Sequence, residues 1–133
     1  MYPFLLFGSW GPLVLRVVFG LIMIVHGFPK LKNLKETSSN FTGMGFRPGA
    51  FWGTLTALLE SFGGIGLMLG IMTVPLAAFF MVEFLVIIIW KIGKHMPFAG
   101  GWELDFLILA AAAALFFSGA GAISLDHFLL LGF

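Results

Sequence analysis

The sequence predicts an all-α membrane protein in which four transmembrane helices form one bundle. Of its 133 residues, 60% are hydrophobic and only 10% are charged, and the mean hydropathy is +1.09. A soluble domain of this size could not bury that much apolar surface, whereas a membrane protein can leave it in contact with lipid. We therefore expect a single four-helix transmembrane domain over residues 1–133, surrounded by membrane lipid.

The first two spans cover about residues 10–28 and 50–70. Both have the length of about 17–25 apolar residues that crosses a hydrocarbon core. Trp10 and Trp52 lie at their ends, where indole rings prefer the membrane interface. The connection between the two spans is the longest polar stretch, and its run of Thr, Ser, Ser and Asn at 37–40 predicts a helix break or cap.

The third and fourth spans cover about residues 74–92 and 102–119, and they satisfy the same length criterion. Trp90 and Trp102 again lie at proposed ends. Pro75 falls in the first turn of the third span, where the N–H that proline lacks would have no helical partner. These features complete two helical hairpins.

The distribution of basic residues predicts the orientation. Apart from Arg16, lysine and arginine occur only in the connections 29–49 and 91–101, which lie on the same side of a four-span protein. The positive-inside rule makes these loops cytoplasmic and both termini external, in a bacterial or archaeal cytoplasmic membrane. The net charge of +1 argues against a nucleic-acid partner.

Three ionisable residues lie inside the spans: Arg16, Glu60 and Glu83. A charge at the bilayer centre costs about 2.5–3.5 kcal/mol on insertion scales, so such residues point to function. We expect an intramembrane charge cluster in which the Arg16 guanidinium bridges to one or both carboxylates. Such pairs can also serve only to fix helix register, and both interpretations stay open. In either case Glu60→Leu should destabilise the protein by leaving Arg16 unpaired.

A second polar group is expected at the cytoplasmic edge, where His26 and Lys30 end the first span and Glu103 opens the fourth. His26 and Lys30 are four residues apart on one helix face, so they could offer two donors to the headgroup of a ligand. An acidic residue such as Glu103 at a helix start also has a simpler explanation in the helix dipole. These three residues are the candidate ligand site.

The residue types limit the cofactors. The chain has no cysteine, which excludes disulfides, iron–sulfur clusters and thiolate zinc sites, and we predict no metal site. Ligation of haem or another pigment by His26, His95 or His127 is not favoured, because no two of them share helical spacing. No cofactor is evident from the sequence. A quinone is the one ligand that the sequence keeps as a possibility.

Several motifs together resemble a known family. The chain reads LRVVFGL at 15–21, HGFPKL at 26–31, LESFGGIGLMLG at 59–70 and GAGAISLD at 119–126. With Glu103 at the start of the fourth span, this order resembles the DoxX family of small four-helix membrane proteins. The resemblance extends over nearly the whole chain.

The resemblance implies the four-helix fold and a link to electron transfer, because the family takes its name from subunits associated with thiosulfate:quinone oxidoreductase and a terminal quinol oxidase. It supplies no catalytic set to carry over, so the catalytic residues stay unknown. Glu83 lies outside the family's signature charges and could mark a contact with a specific partner. The positions that match the family are Arg16, His26, Lys30, Glu60, Glu103 and Asp126.

Two classes of function follow. The first is an accessory or redox-linked subunit of a larger, quinone-associated membrane complex, with partner subunits or further copies of this chain. The chain has no evident redox centre or nucleophile, so it is not expected to be a complete enzyme alone. The alternatives are a purely structural subunit and a small proton-coupled transporter with Glu60 as its coupling carboxylate.

Overall fold

The computed structural model describes residues 3–129, and every regular element in that range is helical. Four helical segments are long and apolar enough to cross a membrane: Trp10–Lys32, Gly49–Leu69, Thr73–Gly93 and Phe98–Ser118. The prediction of an all-α protein with four transmembrane helices is confirmed. The helices are α1 (Pro3–Lys32), α2 (Leu34–Met44), α3 (Gly49–Leu69), α4 (Thr73–Gly93), α5 (Glu103–Ser118) and α6 (Leu125–Phe128).

The predicted ends of the second and third spans agree with α3 and α4 to within one residue. The first span continues beyond its predicted end at residue 28 and remains helical to Lys32. Pro29 does not stop α1, and the extra turn carries Lys30. The fourth span begins with a turn at Phe98–Trp102, in which Gly100 has a φ of 80°, and α5 follows this turn.

The prediction of a helix break at residues 37–40 is wrong, because this run lies inside α2. Asn33 caps the helix: its side chain accepts a hydrogen bond from the Glu36 backbone N–H and donates one to the Glu36 carboxylate. Thr37 is buried. Its hydroxyl oxygen lies 3.0 Å from each of two backbone carbonyl oxygens, those of Lys30 and Asn33, to which it can donate a hydrogen bond. Short polar residues are tolerated here because the cap starts the helix and Thr37 is satisfied locally.

The described residues group into two compact units. One joins the chain up to Arg16 with the segment from Gly70 onward, and the other is Val17–Leu69. Each unit is described separately below, and the single domain over residues 1–133 stays a prediction.

In the Val17–Leu69 unit, α1 and α3 approach each other through glycine. A Cβ atom added at Gly64 would lie 2.7 Å from the Gly20 carbonyl oxygen and 2.8 Å from the Ile24 side chain. About two turns beyond Gly20 along α1, a Cβ at Gly27 would lie 2.6 Å from the Ser61 backbone nitrogen. Small residues allow this backbone contact, which is the usual way in which helices associate in lipid.

In the other unit, α4 and α5 pack together and an ion pair joins their ends. Lys91 Nζ lies 2.6 Å from Asp105 Oδ2, between the last turn of α4 and the first turn of α5. Each of these charges also complements the dipole of its own helix. The buried apolar side chains of the two helices form the core here: Ala77, Phe80, Phe84, Ile88, Ile108, Ala112 and Leu115.

Candidate functional site

The clearest polar feature of the Val17–Leu69 unit is an ion pair between Lys30 and Glu60. The Lys30 ammonium donates to both carboxylate oxygens of Glu60, at 3.0 Å to Oε1 and 2.9 Å to Oε2. The Glu60 side chain is 3% exposed, whereas that of Lys30 is 32% exposed. The pair therefore connects a carboxylate buried in a membrane span to a partly accessible ammonium.

Lys30 is a partner of Glu60 that the sequence did not indicate, and the pairing of Arg16 with Glu60 or Glu83 stays a prediction. Both carboxylate oxygens of Glu60 accept hydrogen bonds from Lys30. Lys30 reaches them because α1 extends one turn beyond its predicted end. The flexible four-carbon stem of lysine lets an ammonium near a helix end contact a carboxylate on a neighbouring helix. Sequence reasoning identified both residues but placed them in different groups.

The backbone beside the pair is unusually close. A Cβ at Gly27 would lie 2.7 Å from the Glu60 Cβ and 2.8 Å from the Ser61 hydroxyl oxygen, so only glycine fits there without movement. Ser61 is fully buried, and its hydroxyl has no hydrogen-bond partner among the described residues. Gly27 thus holds α1 against the part of α3 that carries Glu60.

His26 lies next to this contact and is exposed. Its Nδ1 is 2.8 Å from the Ile22 carbonyl oxygen. A carbonyl can only accept, so Nδ1 must carry the hydrogen, and the neutral ring then presents Nε2 as an acceptor. His26 in this form offers one acceptor, whereas the sequence predicted a second donor beside Lys30.

Arg16 belongs to the other unit and lies at the turn between α3 and α4. It is fully buried, and its guanidinium donates to the Ile123 carbonyl oxygen and is attracted to the Asp126 carboxylate. Gly70 makes room for it: with a φ of 74°, its position would place a Cβ 3.0 Å from Arg16 Cζ and 2.5 Å from Ser124 Cβ. Any other residue at position 70 would adopt an unfavourable backbone conformation, and its side chain would collide with Arg16 and Ser124.

Asp126 caps α4. Its Oδ1 accepts from Met72 N–H at 2.7 Å and its Oδ2 from Thr73 N–H at 2.9 Å, while its own N–H donates to the Gly70 carbonyl at 2.8 Å. Met72 supplies no side-chain cap, so the helix start depends on a residue 54 positions away. In the sequence, Asp126 stands out only as a position that matches the family, because a cap this distant leaves no local pattern.

The structure places Glu83 in α4, with both carboxylate oxygens buried. Arg16 contacts Ile123 and is attracted to Asp126, and Glu60 is paired with Lys30. The charge cluster of Arg16, Glu60 and Glu83, and a functional role for Glu83, stay predictions.

Glu103 is exposed and accepts a hydrogen bond from the Gly100 backbone N–H at 3.1 Å. This contact agrees with its interpretation as a residue that stabilises a helix start. Two residues further along, Asp105 forms an ion pair with Lys91. The Lys91 ammonium also donates to the Gly101 carbonyl at 3.3 Å. Sequence reasoning missed this pair, although a basic last turn followed by an acidic first turn was a usable signal.

The three histidines do not form a shared site in the described part of the chain. His127 donates its backbone N–H to the Ser124 hydroxyl, and His95 has a left-handed backbone with a φ of 59°. Over residues 3–129, no three His, Asp or Glu side chains come together as a group that could hold a metal ion.

A groove of about 450 Å³ lies between α4 and α5. All the side chains along it are apolar, so it offers no hydrogen bond to a polar ligand and suits a hydrocarbon chain. Its lining residues are Met81, Val82, Leu85, Phe106, Leu109, Ala110 and Ala113.

These features define a small all-α membrane protein with four spans and a Lys–Glu pair whose carboxylate is buried. Residues 11–93 match the DoxX family, and the chain belongs to that family. A Bacillus subtilis (strain 168) protein named "Putative oxidoreductase CatD" is 30% identical over 122 residues, which make up 92% of this chain and 89% of that protein. No solved structure matches the chain. The family resemblance of the sequence motifs is thus confirmed.

Proposed function

We propose that this DoxX-family protein is an accessory, redox-linked subunit of a quinone-associated electron-transfer complex in the membrane. The observation that carries the proposal is the Lys30–Glu60 pair, in which a buried carboxylate is linked to a partly exposed ammonium. Ionisable groups inside spans are costly and usually serve a function. The relative whose name describes an oxidoreductase supports a redox role over a transport role.

The surroundings of the pair suit a lipid-soluble ligand with polar oxygens. An ammonium has three hydrogens, and the two oxygens of Glu60 leave one for a further acceptor. Val25 and Phe28, on the same turns of α1, are 61% and 39% exposed and give an apolar surface that a ring or its tail could contact from the lipid. The residues present therefore fit a quinone at this edge of the span.

In this role the three polar residues have distinct tasks. A bound quinone would supply the electron-accepting ring, Lys30 would donate a hydrogen bond to one ring oxygen, and His26 Nε2 would accept or return a proton. Glu60 would hold the Lys30 ammonium in place and balance its charge. Electrons would come from a partner protein, because the chain has no cysteine for an iron–sulfur cluster or for thiol chemistry.

The orientation is part of the same proposal. Lys32, Lys35 and Arg47 are exposed in the connection after the first span, which supports a cytoplasmic location for the loops 29–49 and 91–101 and an external location for both termini. The proposed quinone site beside Lys30 would then lie on the cytoplasmic side of the membrane. Partner subunits or further copies of the chain would lie beside it.

Quinone binding by the purified protein tests the role of the pair. The double variant Lys30→Met/Glu60→Gln removes both charges together, so neither is left buried alone. Its matched control is Lys91→Met/Asp105→Asn, which removes the ion pair at the ends of α4 and α5. In nanodiscs loaded with a ubiquinone or menaquinone, we expect the first variant to lose quinone binding and the control to retain it.

The measurement is the quinone recovered per protein after the nanodiscs are washed with quinone-free lipid. Equal recovery from both variants and the wild type would contradict the quinone site. That result would favour the purely structural subunit, which the complete pairing of Glu60 by Lys30 also supports.

A further inference from the structure

The segment from Gly119 to Leu129, called here the docking segment, is attached mainly by polar contacts. Only Ala120 and Asp126 within it are buried, and its large apolar side chains are exposed. Besides the Asp126 bonds to the start of α4, it is attached through the Ile123 carbonyl, which accepts from Arg16. With so little apolar burial, the attachment of this segment depends on how well its carboxylate is bound.

The groups that bind this carboxylate would suit any small anion. Two backbone N–H groups, those of Met72 and Thr73, converge on it from the start of a 21-residue helix, where the helix dipole is positive. The buried guanidinium of Arg16 adds a full positive charge. Asp126 is itself only 2% exposed, so the bound carboxylate is shielded from solvent.

A further donor in the same turn is not used by Asp126. The Thr73 hydroxyl is fully buried and has no hydrogen-bond partner among the described residues. An unsatisfied buried hydroxyl normally costs stability, which an anion whose oxygen accepts from this hydroxyl would recover.

We propose that the start of α4 is an anion-binding site that Asp126 occupies from within the chain, and that a small carboxylate takes the site when the docking segment leaves it. Arg16, the Met72 and Thr73 amides and the Thr73 hydroxyl are its binding groups. The site is separate from the Lys30–Glu60 pair and does not depend on the function proposed for that pair.

Chemical rescue tests the site. In Asp126→Ala the internal carboxylate is lost, and formate is small enough to replace it. We expect sodium formate to raise the thermal midpoint of this full-length variant in detergent above its value in sodium chloride of equal ionic strength. Hydrogen exchange at the start of α4 should slow by roughly tenfold in formate, the factor expected for a hydrogen bond to a charged group.

Hydrogen exchange in the docking segment distinguishes binding of formate at the start of α4 from a general stabilisation of the protein by the salt. Formate should protect the start of α4 while residues 120–129 stay unprotected, because the external anion replaces their carboxylate. The matched control is Asp105→Ala, which removes a carboxylate held by Lys91 without backbone amides, and formate should leave its thermal midpoint unchanged. If Asp126→Ala does not fold, Asp126→Ser, whose shorter side chain still leaves room for formate, provides the same comparison.

Two results would overturn the proposal. One is an equal thermal midpoint in formate and chloride for the Asp126 variants. The other is a gain in the Asp105→Ala control as large as that in Asp126→Ala, which would show a general effect of the salt.

Discussion

Lys30→Met is expected to lower the free energy of unfolding by about 3–5 kcal/mol, the usual cost of removing one partner from a buried ion pair. The substitution keeps the volume of the side chain but leaves the Glu60 carboxylate, only 3% exposed, without its cation. Unfolding in mixed micelles, followed by circular dichroism, measures the loss. This is the largest effect that we expect from a single substitution in the chain.

Glu60→Leu is the matched comparison and should cost less than Lys30→Met. The Lys30 side chain is 32% exposed, so its ammonium can turn to water once the carboxylate is gone. The double variant Lys30→Met/Glu60→Gln should recover most of the stability, since it leaves no unpaired charge. An equal loss of unfolding free energy in the two single variants, or no loss in Lys30→Met, would contradict this account, in which an unpaired Glu60 carboxylate is more costly than an unpaired Lys30 ammonium.

Asp126→Ala is expected to lower the free energy of unfolding by about 2–4 kcal/mol, because two hydrogen bonds to a charged group are lost and buried donors remain. The substitution leaves the Met72 and Thr73 amides without their cap and Arg16 without the carboxylate that attracts it. The same unfolding measurement applies, and exchange of residues 120–129 should rise with the loss.

Asp105→Ala controls for the loss of a carboxylate elsewhere in the same unit. Its partner Lys91 is 26% exposed and can be hydrated, so the cost should stay below that of Asp126→Ala. If Asp105→Ala costs as much as Asp126→Ala, Asp126 has no special role at the start of α4.

The spans could be predicted from sequence because apolar length alone defines them. The predicted ends of α3 and α4 fall within one residue, since glycine, proline and tryptophan mark them locally. The end of α1 was missed because Pro29 is a usual stop signal, yet the helix continues to Lys32. The helix α2 was missed because its cap at Asn33 and the burial of Thr37 outweigh the weak helix propensity of Thr and Ser.

The site could be predicted only as a set of residues. Arg16, Lys30, Glu60 and Asp126 were all identified, because charges in or beside apolar spans are conspicuous. The contact of Lys30 with Glu60 and that of Asp126 with Thr73 could not be predicted, since the two residues are 30 positions apart in the first and 53 in the second. Such pairings depend on the register between helices, which glycine contacts such as that of Gly27 with Ser61 determine and composition does not reveal.

Purification of the tagged protein from its native membrane is the most direct test of the central claim, that this chain is an accessory subunit of a redox complex. Mass spectrometry of the bound proteins and of the extracted quinones gives the result. We expect a membrane redox protein in near-equal amount, with quinone enriched over bulk lipid. Recovery of the chain alone with bulk lipid only would contradict the claim and favour a free-standing membrane protein such as a transporter.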